Sequence, residues 1–175
     1  MFHFRQKNSK NQKNNESFLE KVLKKTFKRN NEYFGFFDMD KLTPEQRHKN
    51  MQAVKNKDSE IEIILRKELW NRGLRYRKNV SNVFGHPDIV FIGKKVAVFC
   101  DSEFWHGYNW EERKKDIKSH QEFWIPKIER NIKRDIEVNE RLIAEGWMVL
   151  RFWGKDIKEK TIQCADIIEK TIRQN

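Results

Sequence analysis

The spacing of apolar residues predicts a series of helices and strands that begins at Thr43. Thr43 followed by Pro44 is typical of a helix start, with Thr43 as the N-cap. A second helix is expected over residues 55–73, because apolar residues recur there at helical spacing after a capping Asp58 or Ser59.

Three strands are expected after this helix. Residues 74–80 alternate between polar and apolar side chains, and residues 88–92 and 95–100 are apolar and rich in β-branched side chains. Gly93-Lys94 separates the last two segments and is a candidate two-residue turn. The pattern therefore predicts a β-hairpin preceded by one further strand.

The C-terminal part of the chain is predicted to form a helix, a strand and a helix. A long amphipathic helix is expected from about residue 121 to residue 144, ended by Gly146. Residues 147–153 form a fourth strand and residues 155–175 an amphipathic helix. The order α-β-β-β-α-β-α predicts an α/β fold, in which a mixed sheet of about four strands is flanked by helices.

Length and composition suit one domain with an N-terminal extension. The 175 residues are 37% apolar, which is enough for one hydrophobic core, whereas residues 1–42 are largely polar and basic. We predict that residues 1–42 are partly disordered or helical and that residues 43–175 form the domain. No segment has the pattern of a secretory signal or a membrane span, which predicts a cytoplasmic protein. Two cysteines are too few for a disulfide framework.

The charge balance indicates the class of molecule that the chain binds. Lysine and arginine number 37 against 26 acidic residues, which gives a net charge of +11. A basic surface can serve solubility alone, but this excess, together with 13% aromatic residues, favours binding to a polyanion. Nucleic acid is the first candidate, and an anionic membrane surface is the weaker alternative.

The two strands of the predicted hairpin carry acids at matched ends. A turn at Gly93-Lys94 places Asp88 and Asp101 on one face of the sheet, as diagonal neighbours about 7 Å apart. Two carboxylates and the backbone carbonyl of Cys100 are the hard oxygen ligands that Mg²⁺ prefers. The alternative is that each acid merely ends a strand or follows a turn. Their matched positions, with a histidine nearby, favour a metal site.

The segment after the hairpin supplies candidate chemistry. A nuclease site of the form Pro-Asp…(Asp/Glu)-x-Lys has a lysine two residues after the second acid, but Glu103 stands there. His106 is the candidate base instead, because its ordinary pKa lies near working pH. Phe104 and Trp105 either pack into the core or form a wedge that enters DNA. Neighbouring strand residues point in opposite directions, so both cannot enter one core if the strand continues.

The long helix has a polar stripe beside its apolar stripe. Lys127, Asn131, Arg134 and Asp135 recur at helical spacing. A solvated charged face is one explanation. Because the apolar stripe (Phe123, Trp124, Ile128, Ile132 and Ile136) lies next to it, the polar stripe is also suited to wall an active site and to contact phosphates.

From about Arg47 to Ile157, the chain resembles the very-short-patch-repair (Vsr) mismatch endonucleases. The resemblance rests on six stretches in the family's order: RHKNMQAV, SEIE, GHPDIVF, VAVFCDSEFWHG, EFWIPKIERNIKRD and GWMVLRFW. It implies a restriction-endonuclease-like fold of the PD-(D/E)xK superfamily. It also implies Mg²⁺-dependent nicking of one DNA strand beside a T·G mismatch.

The resemblance also implies roles for individual residues. Asp88 would bind the metal together with the carbonyl of Cys100, and His106 would activate water. Glu62 and Asp135 match further active-site acids. Asp135 would either orient the imidazole or hold the water of a second metal ion. The residues similar to those that enter the duplex are Phe104, Trp105 and, from the other side, Met51.

The chain departs from the family prototype at its structural zinc site. The positions of the cysteine and histidine ligands are taken by Glu103, Tyr108, Trp110 and Lys155, so we predict no zinc. His86 stands where an arginine is common in the family.

Together these features predict a Mg²⁺-dependent endonuclease that nicks double-stranded DNA at a T·G mismatch. We expect a monomer in the nucleoid-associated cytoplasm, with other repair proteins as further partners and no membrane contact. One alternative is a restriction or homing enzyme of the same fold that acts on matched DNA. The other is a nuclease-derived DNA-binding module without catalysis.

Overall fold

A computed structural model describes Thr43 and residues 57–174. Residues 1–42, the helix expected after Thr43 and the predicted DNA contact Met51 lie outside the described residues. Within the described part of the chain, every helix is too short or too polar to cross a lipid bilayer.

The described chain contains five α-helices and four strands. The strands are β1 (Arg77–Lys78), β2 (Ile89–Phe91), β3 (Val96–Asp101) and β4 (Met148–Trp153). The helices are α1 (Glu60–Asn71), α2 (Trp110–Arg113), α3 (Gln121–Ala144), α4 (Gly154–Glu159) and α5 (Thr161–Gln174). Two short 3₁₀ turns, Ile92–Lys94 and Lys114–Asp116, connect neighbouring elements.

The four strands form one mixed sheet in the order β1-β2-β3-β4. The first two pairings are antiparallel, whereas β3 and β4 are parallel. The parallel pair requires a crossover, and α3 supplies it. The predicted α/β architecture, a mixed sheet of about four strands flanked by helices, is therefore confirmed.

The hairpin has the predicted register. Val90 pairs with Ala97, as a turn centred on Gly93-Lys94 requires. The turn itself is a 3₁₀ turn, closed by a hydrogen bond of 3.1 Å from the Lys95 N–H to the Ile92 carbonyl. Lys95 then takes a left-handed conformation with a φ of 46°. A helical turn followed by one left-handed residue is a common hairpin connection.

Side chains alternate between the two faces of the sheet, and each face has its own hydrophobic core. Val96 and Val98 point to the face that carries the larger core, which also contains residues of α1, α4 and α5. Ala97 and Phe99 point to the opposite face, where Val138 and Leu142 of α3 cover them. By this alternation Asp101 shares the face that α3 covers.

Three elements differ from the predictions. β1 has two residues instead of seven. The C-terminal helix is two helices, interrupted at Lys160, where no glycine or proline marks a break in the sequence. The short helix α2 was not predicted, because four residues are too few to give a periodic signal.

Candidate active site

A histidine and a carboxylate meet where the end of β3 approaches α3. His106 Nδ1 lies 2.6 Å from Oδ2 of Asp135. The His106 backbone N–H donates to the carbonyl of Ser102 at 3.1 Å, which fixes the histidine relative to the end of β3. The structure therefore brings the two residues together, with Nε2 as the ring nitrogen that this contact does not use.

Arg151 of β4 ties this pair to Asp101. Its Nε and Nη2 donate to the two oxygens of Asp101 at 2.6 and 2.9 Å, and Nη2 also lies 2.9 Å from Oδ1 of Asp135. Nη1 donates to the side chain of Asn139 at 3.1 Å. One half-buried cation thus holds two carboxylates in fixed positions.

Arg151 and Asn139 were missed in the sequence. The available signal was an arginine within an otherwise apolar strand, WMVLRFW. A charged residue on a strand between packed layers needs a partner of opposite charge. The sequence does not identify that partner, because Asp101 lies 50 positions away from Arg151.

These contacts set the charge of the pair. Burial lowers the pKa of His106, but the hydrogen bond to Asp135 and the charge of Asp101 outweigh it, so the pKa lies above its usual value. Burial would raise the pKa of Asp135, yet the hydrogen bond from His106 and the charge of Arg151 hold that pKa below its usual value. Asp135 is therefore ionised at neutral pH, as a partner that orients an imidazole must be.

Asp88 lies at the start of β2 beside the end of β3. Its Oδ2 accepts a hydrogen bond of 2.7 Å from the backbone N–H of Cys100. Burial raises the pKa of Asp88 to about 6; the Cys100 hydrogen bond opposes this rise, and the negative charges of Glu62 and Asp101 add to it. The site thus carries an excess of negative charge that a cation would offset.

Asp101 is engaged differently from the expectation. Both of its oxygens contact Arg151, and Oδ1 lies 3.6 Å from His106 Nδ1. Within the described residues, no three His, Cys, Asp or Glu side chains are arranged to hold a metal ion. The carboxylate of Asp88 is a ligand of the kind that fits Mg²⁺, which commonly binds through one or two carboxylates and retains its waters.

Glu62 has a structural use that the spacing Ser59-x-x-Glu62 indicates, because this spacing is typical of a capping box. Its carboxylate accepts hydrogen bonds from the backbone N–H groups of Asp58 and Ser59, both at 3.1 Å, and from the Ser59 hydroxyl at 2.7 Å. These contacts form a capping box at the start of α1. Glu62 is close enough to raise the pKa of Asp88 by its charge.

Phe104 and Trp105 are half-buried and contact aromatic residues of α3. The Trp124 ring lies 5.5 Å from that of Phe104 and 5.8 Å from that of Trp105, between centroids. Phe123 packs on Trp124 at 4.9 Å and is 54% exposed. We call Phe104, Trp105, Phe123 and Trp124 the aromatic cluster.

The apolar stripe assigned to the core of α3 is partly wrong. Phe123 is 54% exposed, because the first turn of α3 packs on the loop after β3. Ile136, in the second half of the helix, is 53% exposed as well. Trp124 and Phe123 are therefore candidate DNA-contact residues, although the sequence pattern assigned them to the core.

The residues of the polar stripe of α3 differ in their contacts. Asn131 donates from Nδ2 to the Trp105 carbonyl at 3.0 Å, so it anchors the loop. Lys127 Nζ lies 5.1 Å from the centre of the Trp105 ring and 5.6 Å from that of Trp124. Arg134 is exposed. Lys127 and Arg134 are therefore the residues of this stripe that are suited to contact phosphates.

The residues at the prototype's zinc positions do not fit zinc. Glu103 Oε1 accepts a hydrogen bond of 2.5 Å from the Lys155 backbone N–H. The Tyr108 ring packs edge-on against Trp153, with centroids 5.0 Å apart. Trp110 presents an indole N–H, which is a donor and has no lone pair for a metal. The absence of bound zinc remains a prediction.

Comparison with known proteins places these features in a family. Residues 39–112 match the family model described as DNA mismatch endonuclease Vsr. The chain is 56% identical over 135 residues to the type II nicking enzyme V.NmeDIP of Neisseria meningitidis serogroup C, covering 77% of this chain and 91% of the relative.

Two further relatives agree with this assignment. The type II nicking enzyme V.HpaIIP of Haemophilus parainfluenzae is 53% identical over 135 residues, covering 77% of this chain and 96% of the relative. The DNA mismatch endonuclease Vsr of Escherichia coli K12 is 35% identical over 107 residues, covering 61% and 68%. Fold and relatives together define a DNA endonuclease of the restriction-endonuclease-like class. Within that class, the chain belongs to the Vsr family.

Proposed function

We propose that this endonuclease nicks one strand of duplex DNA beside a T·G mismatch, with Mg²⁺ as its metal ion. The observation that carries the proposal is that one loop, residues 102–109 between β3 and α2, supports both His106 and part of the aromatic cluster. The candidate general base for hydrolysis therefore lies next to aromatic rings that can stack on DNA bases.

The names of the relatives support the two parts of this proposal. V.NmeDIP and V.HpaIIP are named as nicking enzymes, and the Escherichia coli relative as a mismatch endonuclease. We assign single-strand nicking and mismatch recognition to this chain on that basis.

In the proposed reaction, His106 removes a proton from the attacking water through Nε2. Asp135 accepts the hydrogen bond from Nδ1, which selects the tautomer with Nε2 free and stabilises the imidazolium that forms. Arg151 keeps Asp135 ionised and fixed in place. The proton leaves the water as its oxygen bonds to phosphorus and the bond from phosphorus to the leaving oxygen breaks. The leaving oxygen then takes a proton from solvent.

Asp88 and the carbonyl of Cys100 would hold the metal ion, with water completing its coordination. When bound, Mg²⁺ supplies charge neutralisation at the phosphate and the leaving oxygen. We assign to Asp101 the role of fixing Arg151, because both of its oxygens accept hydrogen bonds from the guanidinium. Glu62 adds negative charge near Asp88 and also caps α1.

Mismatch preference would come from the aromatic cluster. Opening a base step costs a few kcal/mol, and stacking on an aromatic side chain returns about 1–3 kcal/mol per base. The balance is near zero for a sound duplex and favourable where pairing is already weak. Lys127, which lies over Trp105, places a positive charge beside the inserted rings. Met51 is proposed as a further duplex contact from the family resemblance alone.

Nicking assays on matched and T·G duplexes, each with and without Mg²⁺, test the proposal. We expect Mg²⁺-dependent cleavage of one strand, faster on the T·G duplex. Equal cutting of both duplexes would favour a restriction or homing enzyme. Binding without Mg²⁺-dependent cleavage would favour an inactive binding module.

We further propose that residues 43–175 are the endonuclease domain and that it acts as a monomer in the nucleoid-associated cytoplasm. A monomer is supported because His106, Asp135, Asp88 and the aromatic cluster meet within one chain. Sedimentation of the enzyme bound to a short T·G duplex would test it, and two copies per duplex would contradict it.

A further inference from the structure

The β3–α2 loop, residues 102–109, belongs to no helix or strand, yet it carries the proposed general base His106 and the aromatic rings of Phe104 and Trp105. Two hydrogen bonds within the loop contribute. The His106 N–H donates to the Ser102 carbonyl at 3.1 Å, and the Tyr108 N–H donates to the Glu103 carbonyl at 2.9 Å. Internal bonds define the shape of the loop but do not fix its position relative to Asp88 and Asp135.

One side of the loop is fixed to α3. Asn131 donates to the Trp105 carbonyl at 3.0 Å. Gly107 has a φ of +66°, and a Cβ added there would lie 2.4 Å from the Ile132 side chain. The loop therefore approaches the helix so closely that only glycine fits at this position.

The other side of the loop is fixed to the junction of β4 and α4, and Glu103 makes the polar contact. Its Oε1 accepts a hydrogen bond of 2.5 Å from the Lys155 backbone N–H, across 52 positions of sequence. That N–H lies in the first turn of α4, where an amide has no partner within the helix. The contact thus satisfies a helix end and restrains the loop at once.

Two neighbouring features match this contact. A Cβ at Gly154 would lie 3.2 Å from Glu103 Oε2, so the glycine makes room for the carboxylate. Tyr108, at the far end of the loop, packs edge-on against Trp153 at 5.0 Å. The two ends of the segment Phe104–Gly107 are therefore both joined to the β4–α4 junction.

We propose that Glu103 is a positioning residue, whose carboxylate holds the β3–α2 loop against the start of α4 and so places Trp105 and His106 for mismatch recognition and hydrolysis. This inference rests on the proposed function for its kinetic consequence. Its structural consequence, the restraint of the loop, does not depend on that function.

The test compares Glu103→Ala with Glu103→Gln, which retains an acceptor oxygen. We expect Glu103→Ala to lower kcat on the T·G duplex by about 10- to 100-fold with little change in KM, because a misplacement of about 1 Å costs a rate factor of this order. Glu103→Gln should restore most of the rate. Glu111→Ala, an exposed glutamate in α2, is the matched control and should behave as wild type.

Hydrogen exchange of residues 102–109 gives a readout independent of activity. We expect faster exchange in Glu103→Ala than in wild type and near-normal exchange in Glu103→Gln. Unchanged kcat and unchanged exchange in Glu103→Ala would overturn the proposal. If wild type fails to nick the T·G duplex, the proposed function is wrong, and the exchange result alone decides the role of Glu103.

Glu103→Asp covers the case in which Glu103→Ala does not fold. Its carboxylate is one methylene group too short for the Lys155 N–H, so we expect increased loop exchange and a lower kcat. Wild-type exchange and rate in this variant would overturn the proposal.

Discussion

The Nη2 atom of Arg151 lies 2.9 Å from Oδ1 of Asp135, so a cation on β4 stands behind the carboxylate that binds His106. The same guanidinium contacts both oxygens of Asp101. Two acids near one histidine would strongly favour its protonated form, and Arg151 opposes that effect.

Replacing Arg151 should therefore shift the pH dependence of nicking. Arg151→Met leaves Asp101 and Asp135 without their cation, which raises the pKa of His106 further. Because the base must be neutral, the acid limb of kcat/KM should move to higher pH by about one unit. Rate profiles from pH 5.5 to 9 at saturating Mg²⁺ would measure the shift.

Arg151→Lys is the matched control, since it retains the charge and loses the planar fork. Its acid limb should stay closer to that of wild type even if its rate is lower. An acid limb that does not move in Arg151→Met would contradict the assignment of Arg151.

Asp88→Asn should abolish nicking and stabilise the metal-free protein. The pKa of Asp88 is about 6 in the folded chain, above the ordinary aspartate pKa of 3.8, so folding favours the protonated acid. The free energy of unfolding therefore falls as pH rises through the window from about 4 to 6. At pH 7 the asparagine variant should be more stable by on the order of 1–3 kcal/mol.

Urea unfolding at pH 7 and pH 4, without metal, would measure this difference. The gain should shrink at pH 4, where Asp88 is largely protonated when folded. Asp116→Asn, which alters an exposed acid, should show no gain. A loss of stability in Asp88→Asn at pH 7 would be inconsistent with a destabilising buried charge.

His106→Ala should abolish nicking while preserving DNA affinity. Removal of a general base typically costs 10²- to 10⁴-fold in rate, on the order of the loss expected here. Single-turnover nicking and DNA binding without Mg²⁺ would separate the two effects. His120→Asn, which changes an exposed histidine at the start of α3, is the control. An unchanged nicking rate in His106→Ala would show that another group is the base.

Trp105→Ala should reduce the preference for mismatched over matched DNA. Loss of a stacking ring worth about 1–3 kcal/mol should lower the ratio of the two kcat/KM values by about 10-fold. Trp124→Leu should have the same direction of effect, because Trp124 supports both loop aromatics. Trp70→Ala is the control. It removes an exposed tryptophan that packs on Arg75, and it should leave the ratio unchanged. A preserved ratio in Trp105→Ala would argue against the wedge.

The purified enzyme should contain well under one zinc ion per chain by elemental analysis. The reason is the donor set at Glu103, Tyr108, Trp110 and Lys155, in which the acid already accepts a backbone N–H. Stoichiometric zinc that survives dialysis would contradict this expectation.

Local patterns predicted the hairpin register and the bounds of α3 because side-chain periodicity specifies both. They placed Asp88 near Asp101, and the charge of Asp101 does act on Asp88. They could not reveal that Arg151 would bind Asp101, because the two neighbouring strands that carry these residues are joined by a long crossover. The spacing Ser59-x-x-Glu62, in contrast, is typical of a capping box and could have predicted the contact between these two residues.

The same limit applies to Phe123 and Trp124. Their helical spacing matches a core stripe, but their part of α3 packs on a loop instead of on the sheet. Periodicity identifies one face of a helix and does not say what that face meets.

Trp105 and His106 are consecutive, so their Cα atoms are separated by a single peptide unit of about 3.8 Å. A movement of the loop backbone that carries the indole towards the bases would therefore also move the imidazole. In the proposed mechanism, insertion of the Trp105 ring at a mismatch and alignment of His106 for hydrolysis would then be coupled through the backbone of one loop.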